Sequence, residues 1–325
     1  MLSRRQFLAA TALPVGLSLG AVAQAQQNVV RLVVGFAAGG AADFVARQLA
    51  QQLQAELGST VVVDNRPGAG GRIAVDVVKN AAPDGRTLLV TPGSILTIYP
   101  HVYDKLSYQP LRDLVPVSNL CAVPYSISIG PAVPASVTTL QQLGPWLKAH
   151  PQQASYGSPG AGTTPHFLGA MYAASIGLDY LHVPYKGGSL ALQDVMGGQL
   201  TSSCNVVSEA VPHAQSPKLR ILAVSSPQRI PQLPKVPTLA ELGMKHMTSQ
   251  EWVGLLAPKG TKPEVVERLH IAANRCFDLN VVQKALGEMA FGVTTGSQEE
   301  FAQLLKADLE KWGPVVRSTG FKAEA

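Results

Sequence analysis

The sequence is poor in the features that usually announce a function. It has three cysteines, Cys121, Cys204 and Cys276, spread far apart. They make no C-x-x-C pair and no metal-ligand spacing, so small buried apolar residues are the expectation and no metal site is read here. A disulfide between two of them stays open, because spacing alone assigns none. Charged residues are only 14% of the chain. No basic stripe, no Arg-rich helix and no interleaving of basic with aromatic residues occurs, which argues against nucleic acid as a partner. The chain also lacks a G-x-S-x-G elbow, an H-E-x-x-H pair, a Walker loop and a G-x-G-x-x-G directly after a strand. Without those, catalysis has no motif to stand on, and no cofactor is implied.

What the chain has is bulk and pattern. Its 325 residues, 46% of them hydrophobic, can bury a sizeable core and do not suit a disordered protein. The N-terminus, "MLSRRQFLAATALPVGLSLGAVAQAQQ", has a charged start, an apolar segment from Phe7 to about Val22 and an Ala23-Gln24-Ala25 cleavage site. That is an export signal, residues 1–25, and "SRRQFL" fits the twin-arginine type, with the general route as the alternative. The apolar run is short and carries Pro14, unlike a membrane anchor, and no cysteine follows it as in a lipoprotein. The expected location is the periplasm. Loss of Arg4 and Arg5 leaves 24 basic residues against 21 acidic ones.

Beyond the signal, short apolar runs alternate with helical patterns. Strands are expected at 29–35, 61–65, 87–91, 125–129, 154–156, 180–183, 203–206 and 219–224. Helices are expected at 41–57, 71–79, 140–150, 164–176, 189–196, 263–276 and 298–317. In the first helix Val45, Ala46, Leu49, Leu53 and Leu57 recur at helical spacing and make one apolar stripe. Such alternation predicts an α/β protein in which each lobe is a mixed, mostly parallel sheet flanked by helices. Two extended runs, "CAVPYSISIGPAVP" and "QEWVGLLAP", read as strands crossing between two neighbourhoods. They divide the chain into one lobe of residues 28–122 plus 253–325 and a second of residues 123–252. Two crossover strands joining two lobes give a hinge-closing, type II-like binding protein with its ligand between the lobes.

The loops at the strand ends carry little side-chain chemistry, and that is informative. "GFAAGGAADFVAR" leaves a strand, passes Gly39 and Gly40 and enters a helix. Bare backbone N–H groups at a helix N-terminus form an anion site that needs no basic side chain. Asp43, beside that site, suits a first-turn residue that pins the loop, with direct contact to a ligand amino group as the alternative. "ASYGSPGAGTTPHFLGAMYAA" repeats the arrangement through Gly157, Gly160 and Gly162, with Pro165 in the first helical turn. Ser158, Thr163 and Thr164 add hydroxyls, and His166 is either a capping group or a ligand contact. A third junction, "HVPYKGGSLALQDVMGGQL", brings Lys186, the one basic side chain near these loops. Ser158 and His166 lie close together with no third member for a catalytic triad.

Seven ordered segments, among them "VVVDNRPGAGGRIAVDVV", "APDGRTLLV", "LRILAVSSPQRIPQLPKVPTLAELG" and "WVGLLAPKGTKPEVVERL" with the three loops above, resemble the Bug family of periplasmic solute receptors of tripartite tricarboxylate transporters. The resemblance covers essentially the whole mature chain. It implies a two-lobed, monomeric receptor that holds a small carboxylate in the interlobe cleft: a di- or tricarboxylate, an acidic amino acid or an aromatic carboxylate. The ligand is passed to membrane transporter subunits; delivery to a sensor kinase, an orphan binder and, more remotely, a periplasmic hydrolase are the alternatives. The site residues it implies are Phe36, Ala38, Gly39, Gly40, Ala41, Ala42 and Asp43 in the first lobe, with Ser94. In the second lobe they are Ser158, Gly160, Ala161, Gly162, Thr163, Thr164 and His166, helped by Tyr185 and Lys186. Two departures from relatives, Ala42 in place of a hydroxyl residue and "ILTIYP" after Ser94, make the first-lobe side more apolar.

Overall fold

The computed structural model describes residues 29–323, and the expected export signal, residues 1–25, lies outside them. The strands are β1 (Val29–Val34), β2 (Thr60–Asn65), β3 (Thr87–Pro92), β4 (Leu114–Ile129), β5 (Ser155–Ser158), β6 (Leu181–Pro184), β7 (Ser202–Val206), β8 (Arg220–Val224), β9 (Gln250–Pro258) and β10 (Gly292–Val293). Eight of them form one path, β2-β1-β3-β9-β4-β7-β5-β6, and β8 and β10 both pair with β4. Parallel pairing is confined to β1 with β2 and β3, and β5 with β6 and β7. Wherever β4 or β9 takes part, the pairing is antiparallel. The sheet is therefore mixed, as expected, and its antiparallel pairing falls where the two crossover strands take part. The reason is topological: a strand that carries the chain into the other half, and one that brings it back, run in opposite directions.

β4 joins the two halves. Its first part pairs with β9 as far as Pro124↔Gln250, and from Tyr125↔Val206 onward its partner is β7. Pro124 thus stands where the ladder changes partner, a position that tolerates a residue without an N–H. β9 matches the second crossover run read from the sequence.

The helices form where the apolar pattern required them. On Ala41–Leu57, Val45, Ala46, Leu49 and Leu53 are fully buried against β1 and β2, and the helix stops at Gly58 in the left-handed conformation. Helices Leu140–Ala149 and Gln298–Thr319 open with capping boxes, Thr139 with Gln142 and Ser297 with Glu300. The helix Asn280–Glu288 and several single-turn helices were not foreseen. All three cysteines are buried and unpaired, so the disulfide left open by the sequence does not form.

Each half has its own core. One surrounds the stripe of the first helix, and another gathers Tyr125, Ile127, Tyr156, Tyr172 and Cys204. A small cluster of Ile98, Val102, Phe167, Trp312 and Val316 packs the helix Thr164–Ile176 of one half onto elements of the other. Near the crossover, Trp252 meets Phe301 edge to face with ring centroids 5.1 Å apart and gives its indole N–H to Asp308 at 2.8 Å. A Cβ on Gly254 would lie 2.3 Å from Phe301 Cζ, and Phe301 is buried with nowhere to move. Gly254→Ala is expected to cost about 1–3 kcal/mol through overpacking, read as a lower urea midpoint at unchanged slope; an unchanged midpoint would contradict this packing.

Candidate functional site

A cavity of about 490 Å³ opens between the two halves. Its floor is the crossover pair, Val123 and Tyr125 of β4 with Glu251 and Val253 of β9. Its walls come from the carboxyl ends of β1, β3, β5, β6 and β7; the first four run through a short loop into a helix, and β7 runs directly into one. Ligands of open α/β sheets bind at such strand ends.

The first wall is the loop Gly35–Gly40. Gly39, at φ 87°, takes a conformation that a side chain would strain. Gly40 is the N-cap of Ala41–Leu57 and offers no side chain. Asp43 reaches back instead: its carboxylate accepts from the Gly39 N–H at 2.9 Å, Arg47 Nε at 2.8 Å and Asn65 Nδ2 at 2.9 Å, and Asn65 also holds the Phe36 carbonyl at 3.0 Å. Burial pushes the Asp43 carboxyl up, but Arg47, the Gly39 amide and Asn65 together hold it below the usual carboxylate range. Asp43 is thus the structural pin of the loop, the first of the two roles read for it. The Gly39 N–H is spent on that pin, and the Gly40 N–H points to the Ala37 carbonyl at 3.4 Å. The amides without an intrahelical acceptor are those of the first helical turn, Ala41 and Ala42 among them, and both residues line the cavity.

The second wall is the loop before Thr164–Ile176. Gly162, at φ 75°, gives its N–H to His166 Nδ1 at 3.1 Å, which places the neutral ring's proton on Nε2. Thr163 Oγ1 donates to the Gly160 carbonyl at 2.7 Å. Ser158 is fully buried; its hydroxyl donates to the Gly160 carbonyl at 3.0 Å and lies 2.7 Å from His182 Nε2. His182 in turn stacks on His166 with centroids 3.9 Å apart. Burial lowers His166 to about 4, and burial with the neighbouring His166 ring lowers His182 to about 3.

Of the residues read from the sequence, the structure brings Phe36, Gly39, Gly40, Ala41, Ala42, Ser94 and Thr163 to the cavity wall. Ala38, Asp43, Ser158, Gly160, Ala161, Gly162 and His166 lie off it; Asp43, Ser158 and His166 shape the loops from behind. Tyr185 turns away to donate to Asp194 at 2.7 Å, and Lys186 is exposed, so that junction contributes Gly187, Gly188 and Ser189 instead. Thr164 also differs from expectation. Its hydroxyl donates at 2.7 Å to a group the sequence reading passed over, Glu251.

Glu251 is buried, and three donors from three elements meet on it. Ser94 N–H reaches Oε1 at 2.6 Å, while Tyr125 O–H and Thr164 O–H each reach Oε2 at 2.7 Å. Burial raises its carboxyl, and the hydrogen bonds from Thr164, Tyr125 and Ser94 oppose that rise. A second acid, Glu209, lines the cavity from the helix that follows β7 and is likewise raised by burial. Each is a lone acid in an apolar run, "QEWVGLL" and "NVVSEAV", which is the signal that could have found them.

Two sheet halves sharing two crossover strands, with a cleft walled by strand-end loops and helix N-termini, define a two-lobed α/β binding protein. Within that class the chain belongs to the tripartite tricarboxylate transporter family receptors, which it matches over residues 45–321. It is 32% identical to protein BugT of Bordetella pertussis, over 90% of each chain. Among solved structures it is similar to MatC from Rhodopseudomonas palustris with bound malate, at 29% identity and TM-score 0.79, covering 89% of this chain and 98% of that one. It is equally similar to R. palustris Rpa4515 with adipate, at 29% identity and TM-score 0.82, covering 90% and 97%. The resemblance to Bug receptors and the binding-protein fold read from the sequence both hold.

The stacked histidine pair, His166 buried and His182 half-buried, sets a pH dependence. An unfolded chain protonates its histidines near pH 6.5, whereas folded His166 and His182 stay neutral down to about 4 and about 3. The unfolded state binds more protons across that window, so stability falls as pH drops from about 6.5 towards about 4. A lower urea midpoint at pH 5 than at pH 7 is expected, with a smaller difference in His182→Gln. Equal differences in the two proteins would remove the pair from this account.

Proposed function

We propose that this protein is an exported, periplasmic receptor that captures a small carboxylate in the interlobe cavity, closes around it and presents it to tripartite-type membrane subunits. The observation that carries the reading is the helix N-terminus at Ala41 and Ala42, open to the cavity with unspent N–H groups and a positive dipole end. The wall opposite supplies Thr163 and the first turn of Thr164–Ile176. Malate and adipate, bound by two relatives of the same fold, are the kind of ligand such a cleft suits. We take residues 28–122 with 253–325 as one lobe and 123–252 as the other, a division supported by the change of partner along β4. We also read the protein as a binder without turnover, since Ser158 and His166 are engaged in holding their own loop.

Ala41→Pro tests the donor directly. Gly40 has φ −79° and ψ 169°, the extended conformation required before proline, and Ala41 is the first helical residue, where proline fits. The variant should fold normally yet lack one N–H at the anion site. A hydrogen bond to a charged group is worth about 1.5–3 kcal/mol, so carboxylate affinity by calorimetry should fall roughly ten- to a hundredfold. An unaltered dissociation constant would refute the proposed role of this helix end.

A further inference from the structure

The chain leaves the long helix Gln298–Thr319 at Gly320, whose φ of 65° turns it aside, and runs on through Phe321, Lys322 and Ala323. Phe321 is the one aromatic residue after Trp312. The chain on either side of it is tied to the same place. Before it, Trp312 and Val316 of the helix pack with Ile98 and Val102. Beyond it, the Ala323 N–H reaches the Val102 carbonyl at 3.2 Å, and Lys322 Nζ donates to Asp104 at 2.8 Å. On the division proposed above, all of these partners belong to the lobe of residues 28–122 and 253–325.

Phe321 itself reaches the other lobe. Its ring stands edge-on to His166, with centroids 4.6 Å apart, and to Phe167 at 6.1 Å. Its Cε1 lies 3.8 Å from the place a Cβ would take on Gly162. These residues shape the second wall of the cavity: the Gly162 N–H donates to His166 Nδ1, and Thr163, next in the chain, lines the cavity. A strap anchored on one lobe at both its ends thus rests an aromatic ring on the binding loop of the other.

We propose that residues 320–323 are an interlobe latch: Phe321, seated on His166 and Phe167, holds the closed form of the cleft and steadies the second wall. The proposal rests on the hinge-closing reading above and names a device that regulates it. Opening would draw His166 and Phe167 away from a ring whose anchors stay with Val102 and Asp104, and would expose apolar surface on both sides. A ligand that needs the closed form binds with an apparent affinity scaled by the closed fraction. The strap therefore sets the strength of capture without touching the cargo.

The test needs no ligand. Gln51→Cys and Gln193→Cys place spin labels at exposed positions on Ala41–Leu57 and Gly188–Met196, two helices that begin at the cleft in opposite lobes. The three native cysteines are buried. Label separation in the ligand-free mature protein is then read by double electron–electron resonance. With the native tail, the short separation of the closed form should dominate. Phe321→Ala should raise the ratio of long to short separations roughly tenfold, whereas Phe321→Tyr, which keeps the ring on His166, should leave it near the native value. A packing role alone would lower the urea midpoint of Phe321→Ala and leave the ratio where it was, and that outcome overturns the latch. A shift as large in Phe321→Tyr as in Phe321→Ala overturns it too. Carboxylate affinity in Ala41→Pro judges the receptor reading separately, so either can fail without the other.

Discussion

A buried carboxyl group must be given donors, and meeting that demand at Glu251 organises the centre of this molecule. Leaving such a group unpaired is among the costlier faults a fold can carry. Here the donors come from Ser94 beyond β3, Tyr125 on β4 and Thr164 at the head of a helix in the other half. One side chain on the second crossover strand thereby fixes the first crossover strand and the nearest junction of each half. Positions that could have met a ligand are spent on internal order, and the chemistry left at the cavity surface is what those contacts leave uncovered.

The same economy governs the loops. A binding surface made of main-chain N–H groups needs the backbone held still, and glycine-rich loops do not hold themselves. Asp43 does this for the first wall through Gly39 and Asn65, and His166 for the second through Gly162. Both are polar side chains close to the cavity that serve it from behind. The division is general for such sites: few residues touch the ligand, and the more conspicuous ones set the angle at which bare amides face it.

That division explains how far the sequence could be read. Ala41–Leu57 and Thr164–Ile176 end where the sequence placed them, because the apolar stripe of the first and the glycine that follows each, Gly58 and Gly177, are local facts. The crossover runs were legible as extended apolar segments, but their antiparallel pairing was not, since strand direction depends on which distant strand is met. The junctions were legible as places; which residue at each would face inward was not. Tyr185 and Lys186 look the more functional pair in "YKGGS", yet Gly187, Gly188 and Ser189 line the cavity because Tyr185 is drawn off by Asp194. Glu251 went unread because an acid in an apolar strand shows no periodicity, and its three partners lie 157, 126 and 87 residues away.

The contacts between the halves also set how easily the cleft can open. On the division proposed above, Glu251, Tyr125 and Thr164 fall in one lobe and can stay bonded through a hinge motion, whereas Ser94 belongs to the other. Opening would part Ser94 from Glu251 and loosen Phe167 from Ile98, Val102 and Trp312. The hydrogen bond is worth roughly 0.5–1.5 kcal/mol once water replaces it. Two or three exposed apolar side chains add only a few kcal/mol at about 25 cal/mol per Å². These are the sizes of term that a ligand's own contacts can match, so a modest set of backbone hydrogen bonds is enough to move the balance between open and closed forms. A cleft lined with strong basic side chains would close more tightly and release more slowly, which does not serve a receptor that must hand its cargo on.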